Sequence, residues 1–161
     1  MRDFKMIKLF VMDVDGTLTD GHIYIGAQGE LMKAFDVKDG YAIAHLLPAA
    51  EIVPVIITGR RSAIVEERAK ELSITELHQG VRDKLTCLKA IGEKYGVKPK
   101  EIAYIGDDLN DLDCIYFCGV TACPADAVEE VKASVDYVCT HNSGSGAVRE
   151  FIAWLLAQNQ D

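Results

Sequence analysis

This sequence of 161 residues contains no stretch of about 18 consecutive apolar residues, so no segment of it reads as a membrane-spanning helix. Cations are in short supply: 17 Lys and Arg against 25 Asp and Glu give a net charge of −8. Without a basic footprint, binding to nucleic acid or to an anionic membrane surface is not expected. An anionic small substrate stays admissible where a metal or local cations reverse the field at one site. The residues ahead of the first apolar strand hold no long apolar core of a leader, which points to an unexported, cytoplasmic protein. No Cys-x-x-Cys pair occurs, and Cys114, Cys118 and Cys123 have no nearby His to complete four zinc ligands. The five cysteines cannot all pair within the chain and read as reduced, packed thiols. Internal repeats, low-complexity tracts and insertions of cap-domain size are also missing, so residues 1–161 read as one domain.

What is present is organised around Leu9-Phe10-Val11-Met12-Asp13-Val14-Asp15-Gly16-Thr17. A short apolar run reads as a buried strand, and Gly16 punctuates its end. Residues two apart on a strand face the same way, so Asp13 and Asp15 converge on one ligand as the chain leaves the sheet. A β-hairpin follows: Ile23-Tyr24-Ile25, a turn from Gly26 to Gly29, then Leu31 to Phe35. It reads either as the cover of the first strand's carboxyl end or as an ordinary surface hairpin, and its apolar residues invite another subunit.

Beyond the hairpin, strands and helices alternate. Asp39-Gly40 opens a helix over Tyr41–Leu47 closed near Pro48, and the strand Ile52–Ile57 ends in Thr58-Gly59-Arg60. Ser62 is placed to cap a helix over Ala63–Leu72. A short strand near Glu76–Gln79 leads through Asp83-Lys84 into a helix carrying Leu85, Leu88 and Ile91. The strand Ile102–Ile105 ends in Gly106-Asp107-Asp108-Leu109-Asn110-Asp111. A helix near Leu112–Phe117, a strand at Val120–Ala122, a helix over Ala125–Ala133, a strand at Tyr137-Val138 and a final helix carrying Val148, Phe151 and Leu155 complete the pattern. Such alternation predicts an α/β fold, a Rossmann-like parallel sheet with helices on both faces. In that sheet Asp13, Thr58, Lys84 and Asp107 all open on one edge, where α/β folds bind ligands.

The residue types suit phosphoryl transfer. Three carboxylates within five residues at Asp107, Asp108 and Asp111 repel one another unless a cation sits among them, and oxygen ligands favour Mg²⁺ over zinc. Held by Asp13, Asp107 and a backbone carbonyl near Asp15, Mg²⁺ would neutralise the charge between an anionic nucleophile and a phosphate. Asp13 would attack phosphorus, and Asp15 would serve as acid and then base. Thr58 and Lys84 would hold the equatorial oxygens. Lys84 opens a helix, where the dipole prefers anions, and so reads either as directed at a bound anion or as a solvated surface residue.

Asp13-Val-Asp15-Gly-Thr17, Thr58, Lys84 and Gly106-Asp107-Asp108-x-x-Asp111, in this order, resemble the four motifs of the haloacid dehalogenase superfamily. That resemblance implies Asp13 as nucleophile, Asp15 as acid and base, Thr58, Gly59 and Lys84 as phosphate ligands, and Asp107 as a metal ligand beside Asp13 and Asp15. Asp108 and Asp111 are then either outer-shell groups or alternative ligands. A nearer resemblance is to the small, capless 3-deoxy-D-manno-octulosonate 8-phosphate phosphatases and their nonulosonate relatives, in which a hairpin replaces the cap domain. It rests on Thr19-Asp20-Gly21, Lys33-x-Phe35, Asp39-Gly40, Thr58-Gly59-Arg60-x-Ser62, Gln79-Gly80-x-x-Asp83-Lys84 and Gly144-x-Gly146-Ala-Val-Arg149-Glu150. It implies substrate contacts from Arg60, Lys33 and Asp39, with Arg60 pairing the sugar-acid carboxylate. It also implies a homotetramer in which the hairpin and carboxyl-terminal segment cover a neighbouring site. Eight- and nine-carbon sugar acids both remain open as substrates. A phosphate-accepting receiver module lacks a second Asp two residues beyond the phosphorylated one, and a noncatalytic partner of a sugar-activating cytidylyltransferase would have no use for Asp13 and Asp15 together.

Overall fold

The computed structural model describes residues 6–158; residues 1–5, read above for a leader, lie outside them. Eight strands are present among the described residues: β1 (Leu9–Met12), β2 (Tyr24–Gly26), β3 (Gly29–Met32), β4 (Val53–Ile57), β5 (Glu76–His78), β6 (Ile102–Ile105), β7 (Val120–Cys123) and β8 (Tyr137–Val138). Six form one parallel sheet in the order β5-β4-β1-β6-β7-β8, and β2 and β3 pair separately as an antiparallel hairpin. The chain builds outward from β1 through β4 to β5, then returns to the other side of β1 for β6. That reversal makes a topological switch point at the carboxyl end of β1, where open α/β sheets form their ligand crevice.

Burial on both faces explains why the central strands are unbroken apolar runs. Phe10 and Met12 of β1 point to one side, packing with Ile56 and Ile105, with Ala42 and Ile43 just after helix α1 (Val37–Tyr41), and with residues of α2 (Leu47–Ala49), α3 (Ala63–Glu71) and α7 (Ala147–Ala157). Leu9 and Val11 point to the other, against α4 (Lys84–Tyr95), α5 (Leu112–Phe117) and α6 (Glu129–Lys132). The period of two sorts each strand between two cores. The final helix is seated by aromatics: Phe151 lies 5.3 Å from Phe10 between ring centroids, and Trp154 lies 4.8 Å from Tyr137. Truncating a buried Phe of this kind to Ala costs about 3–5 kcal/mol.

Three local expectations are corrected. The helix placed from Asp39 starts earlier, because Asp36 caps it: its carboxylate accepts the N–H groups of Lys38 at 2.7 Å and Asp39 at 3.3 Å. It passes through a π turn over Ala42–Leu46, in which the Leu47 N–H reaches the Ala42 carbonyl, and closes just after Pro48, as expected. Pro48 has no N–H and its ring would press on the Ala44 carbonyl of a regular helix, and the wider turn relieves that clash. Ser62 holds the first position before α3, but its hydroxyl makes no capping bond there. The helix expected over Ala125–Ala133 shrinks to Glu129–Lys132. Ala127 N–H bonds Pro124 O in a turn, and Val128 N–H is diverted to Asp107 O at 3.1 Å.

The hairpin turns through Ala27-Gln28, with Gly29 at φ +113°. Thr19 pairs with Phe35 at its base. Ile25, Leu31 and Met32 are exposed on it. Among the described residues no helix is long and apolar enough to cross a membrane.

Candidate active site

The chain turns sharply after β1. The Val14 carbonyl accepts the N–H groups of Thr17, Leu18 and Thr19 at 2.9 to 3.1 Å, which returns the backbone over the end of the sheet. Gly16 sits at φ +84°, and a Cβ there would lie 2.1 Å from an Asp107 carboxylate oxygen. Only glycine lets the β1 turn and the β6 loop approach this closely. Thr17 then donates its hydroxyl to Asp107 Oδ1 at 3.2 Å. From the far side, Gly144 N–H bonds Thr17 O at 3.2 Å, so the carboxyl-terminal loop braces the same turn.

An open cleft of about 210 Å³ lies over these strand ends. Asp13, Asp15, Thr58, Gly59, Arg60 and Asp107 line it, and Asp108 and Asn110 complete its wall. Four carboxylates thus face a single cation. Lys84 reaches the group from below: its ammonium, almost fully buried, lies 3.0 Å from Asp13 Oδ1 and 2.8 Å from Asp111 Oδ1. The anion towards which the helix-opening lysine points includes the protein's own carboxylates. Against burial, which would lower it, Asp13 and Asp111 raise the Lys84 pKa above its ordinary value.

Asp111 is the concealed hub. Its Oδ1 accepts Lys84 Nζ and, at 2.6 Å, the hydroxyl of Tyr104. Its Oδ2 accepts the backbone N–H groups of Asp107 at 2.9 Å and Asp108 at 3.3 Å. Both oxygens are fully engaged, which fits Asp111 to holding its neighbours rather than to facing solvent. Tyr104 went unnoticed inside an apolar strand pattern; the available signal was a hydroxyl at a fully buried position, which needs a partner.

Carboxylate oxygens of Asp13, Asp107 and Asp111 all lie within 4.8 Å of one another. Burial, reinforced by the neighbouring Asp111, pushes the Asp13 carboxyl above its ordinary pKa, and burial with Asp13 and Asp111 does the same to Asp107. Crowded oxygen donors held against their own repulsion suit a hard divalent cation such as Mg²⁺.

Lys33 and Asp39 part company. Lys33, just past β3, buries its ammonium between Asp15 Oδ1 at 2.5 Å and Glu30 Oε1 at 2.9 Å, so the hairpin is fastened to the cleft through Asp15. Arg60 stands half exposed at the rim, with Nε 3.8 Å from Asp15 Oδ2. Asp39, expected among the substrate contacts, lies outside the cleft lining. Its carboxylate accepts the Arg149 N–H at 2.8 Å in the first turn of α7. The residue before that helix is Gly146, which has no side chain to cap it, so Asp39 supplies the anion from another helix. Burial pushes the Asp39 carboxyl up to about 6.

Comparison with known proteins places this geometry. Residues 73–152 match the family model of haloacid dehalogenase-like hydrolases. The 3-deoxy-D-manno-octulosonate 8-phosphate phosphatase of Escherichia coli strain K12 is 43% identical over 93% of this chain and 79% of its own. The crystal structure of the enzyme of that name from Yersinia pestis superposes with a TM-score of 0.93 at 41% identity, covering 97% of this chain and 84% of that one. The Moraxella catarrhalis enzyme, crystallised with a magnesium ion, a phosphate ion and KDO, gives a TM-score of 0.92 at 44% identity over 96% of this chain and 88% of that one.

Proposed function

Because the chain belongs to the 3-deoxy-D-manno-octulosonate 8-phosphate phosphatase family of haloacid dehalogenase-like hydrolases, we propose that it hydrolyses 3-deoxy-D-manno-octulosonate 8-phosphate, using Mg²⁺. The observation that carries this reading is the convergence of Asp13 and Asp15 on one cleft with Thr58 and Asp107. Asp13 Oδ attacks phosphorus while the bond to the sugar oxygen breaks, giving an aspartyl-phosphate. Asp15 gives its proton to the departing alkoxide and then takes one from the water that hydrolyses the acyl phosphate, which returns both carboxyls to their starting state. Thr58 and the Gly59 backbone hold the nonbridging oxygens at the end of β4, and Lys84 secures Asp13 and the phosphate from below.

Asp13, Asp107 and the Asp15 carbonyl would hold the Mg²⁺, with Asp111 fixing them from behind. When bound, the ion offsets the negative charge of four carboxylates and a phosphate meeting in one cleft. Arg60 at the rim is suited to the sugar-acid carboxylate, and Lys33 acts on substrate through Asp15. The chain acts as one catalytic domain in the cytoplasm, serving lipopolysaccharide precursor synthesis. The exposed Ile25, Leu31 and Met32 of the hairpin support a homotetramer whose hairpins and carboxyl-terminal segments cover neighbouring clefts.

Phosphate release with Mg²⁺ from eight-carbon and nine-carbon 2-keto-3-deoxy acid phosphates and from their non-acid analogues tests the reading. A marked preference for the eight-carbon acid is expected. Preference for the nine-carbon acid reassigns the substrate, and equal, slow turnover of every ester removes the sugar acid from the function.

A further inference from the structure

Tyr104 occupies the middle of β6 beside Val11 of β1, in the same buried core as Leu9, Val55, Leu88 and Cys114. A phenylalanine would fill the same space. The hydroxyl is therefore the informative atom, because burying it is costly unless it is bonded. Its bond is to Asp111 Oδ1 at 2.6 Å, the short distance of a hydroxyl donating to a carboxylate. The same oxygen accepts Lys84 Nζ at 2.8 Å, and that ammonium stands 3.0 Å from Asp13 Oδ1.

We propose that Tyr104 is a positioning residue for Asp13, acting through Asp111 and Lys84. This rests on the phosphatase reading above. The chain of contacts is Tyr104 hydroxyl, Asp111 carboxylate, Lys84 ammonium, Asp13 carboxylate, in which Asp111 Oδ1 accepts from two donors and Lys84 faces two carboxylates. Lys84 is shared between two carboxylates at nearly equal distance, so small changes in the pull of either one relocate it. The Tyr104 hydroxyl supplies a neutral donor to Asp111 Oδ1 and leaves part of the ammonium's attraction for Asp13. Without that donor, Lys84 alone serves Asp111 Oδ1 among the described side chains and is drawn towards it, away from the nucleophile. Two backbone N–H groups keep Asp111 Oδ2 in place meanwhile, so the carboxylate cannot turn to compensate.

The experiment compares Tyr104→Phe with Tyr116→Phe, whose hydroxyl lies on the surface 3.2 Å from Ser134 Oγ. With p-nitrophenyl phosphate and saturating Mg²⁺, Tyr104→Phe is expected to lower kcat about tenfold with KM within about twofold of wild type, the scale on which supporting contacts act. Its Tm falls by about 4–8 °C, from the loss of one buried bond to a charged group. Tyr116→Phe matches wild type. In the metal-free proteins, NMR of ε-¹³C-lysine reports the ammonium directly: the Lys84 resonance moves in Tyr104→Phe and stays in Tyr116→Phe. A kcat within twofold of wild type, a raised KM with kcat kept, or an unmoved Lys84 resonance overturns the proposal. Wild-type protein that releases no phosphate would sink the phosphatase reading instead, and the lysine resonance would still decide the contact chain.

Discussion

Replacing Lys84 with Met keeps the length of the side chain and removes the ammonium beneath Asp13 and Asp111. The folded protein would then hold three crowded carboxyls, those of Asp13, Asp107 and Asp111, without the cation that lies 3.0 and 2.8 Å from two of them. Breaking a buried pair by removing one partner costs about 3–5 kcal/mol, because the remaining charge stays desolvated. Proton uptake by the carboxyls is the available relief. Asp13 is already above its ordinary pKa through burial and Asp111, and Asp107 through burial, Asp13 and Asp111; losing Lys84, which opposes the rise at Asp13, raises Asp13 further. A carboxyl whose folded pKa exceeds its unfolded pKa stabilises the fold below the unfolded value, and that contribution is lost as pH rises through the folded one. The deficit of Lys84→Met should therefore be larger at about pH 8.5 than at about pH 5, where the folded variant has taken up protons. Urea unfolding of metal-free wild type and variant at both values measures it, provided the slope with denaturant is unchanged. A loss below about 1 kcal/mol at the higher pH, or a deficit that grows on acidification, would refute the account of Lys84 as the buried countercharge.

Asp13→Asn should leave the fold at least as stable as wild type, since it removes a carboxyl disfavoured by burial and by Asp111, and should cut turnover by at least about a thousandfold. Thermal unfolding and phosphate release decide it, and retained turnover removes Asp13 as nucleophile. Arg60→Ala should harm sugar-acid phosphates at least about tenfold more in kcat/KM than an aryl phosphate, the worth of one hydrogen bond between charged groups. Equal losses on both would take Arg60 out of carboxylate recognition. Glu150 anchors the segment after β8 to α7, accepting from Tyr137 OH and Thr140 N–H at 2.8 Å and His141 N–H at 3.0 Å. Burial would raise its pKa, but these donors and the His141 ring hold it down to about 2. Its contribution is present above the unfolded value of 4.5 and lost as pH falls towards about 2, roughly 1–2 kcal/mol after solvent screening. Acid titration of stability should show a shallower loss over that interval in Glu150→Gln, and an identical slope refutes it.

The sheet and its order of elements were legible because they follow from local pattern. Leu9-Phe10-Val11-Met12 and Ile102-Ala103-Tyr104-Ile105 are apolar runs too short for helices, and each breaks at a glycine or an acid where the chain leaves the sheet. The cleft wall was legible for the same reason, since Asp13, Thr58 and Asp107 each occupy the first polar positions after a strand. What could not be read were pairings between distant positions. Asp111 to Lys84 spans 27 residues and Arg149 to Asp39 spans 110, and no periodicity reports either. Asp39 illustrates the limit: beside Gly40 its sequence context matched a binding motif, while its carboxylate serves the start of α7. The shrunken α6 has a similar origin, because a helix-compatible stretch gives up Val128 N–H to Asp107 O.

The two kinds of residue divide by what faces them. Asp13, Asp15, Thr58, Arg60 and Asp107 look into the cleft, and the strand ends alone are enough to put them there. Lys84, Asp111, Tyr104 and Lys33 act on those residues from behind or above, and what each one touches is set by side-chain pairings across elements. A carboxylate cluster at a strand end could bind a cation without them. Holding Asp13 oriented and ionised, as the proposed nucleophilic role requires, is harder, since burial and Asp111 both favour its protonated form. Lys84 opposes both effects, and the four donors on Asp111 hold the second carboxylate that shares this ammonium. The chemistry is thus set as much by the buried side of the site as by the side that meets the substrate.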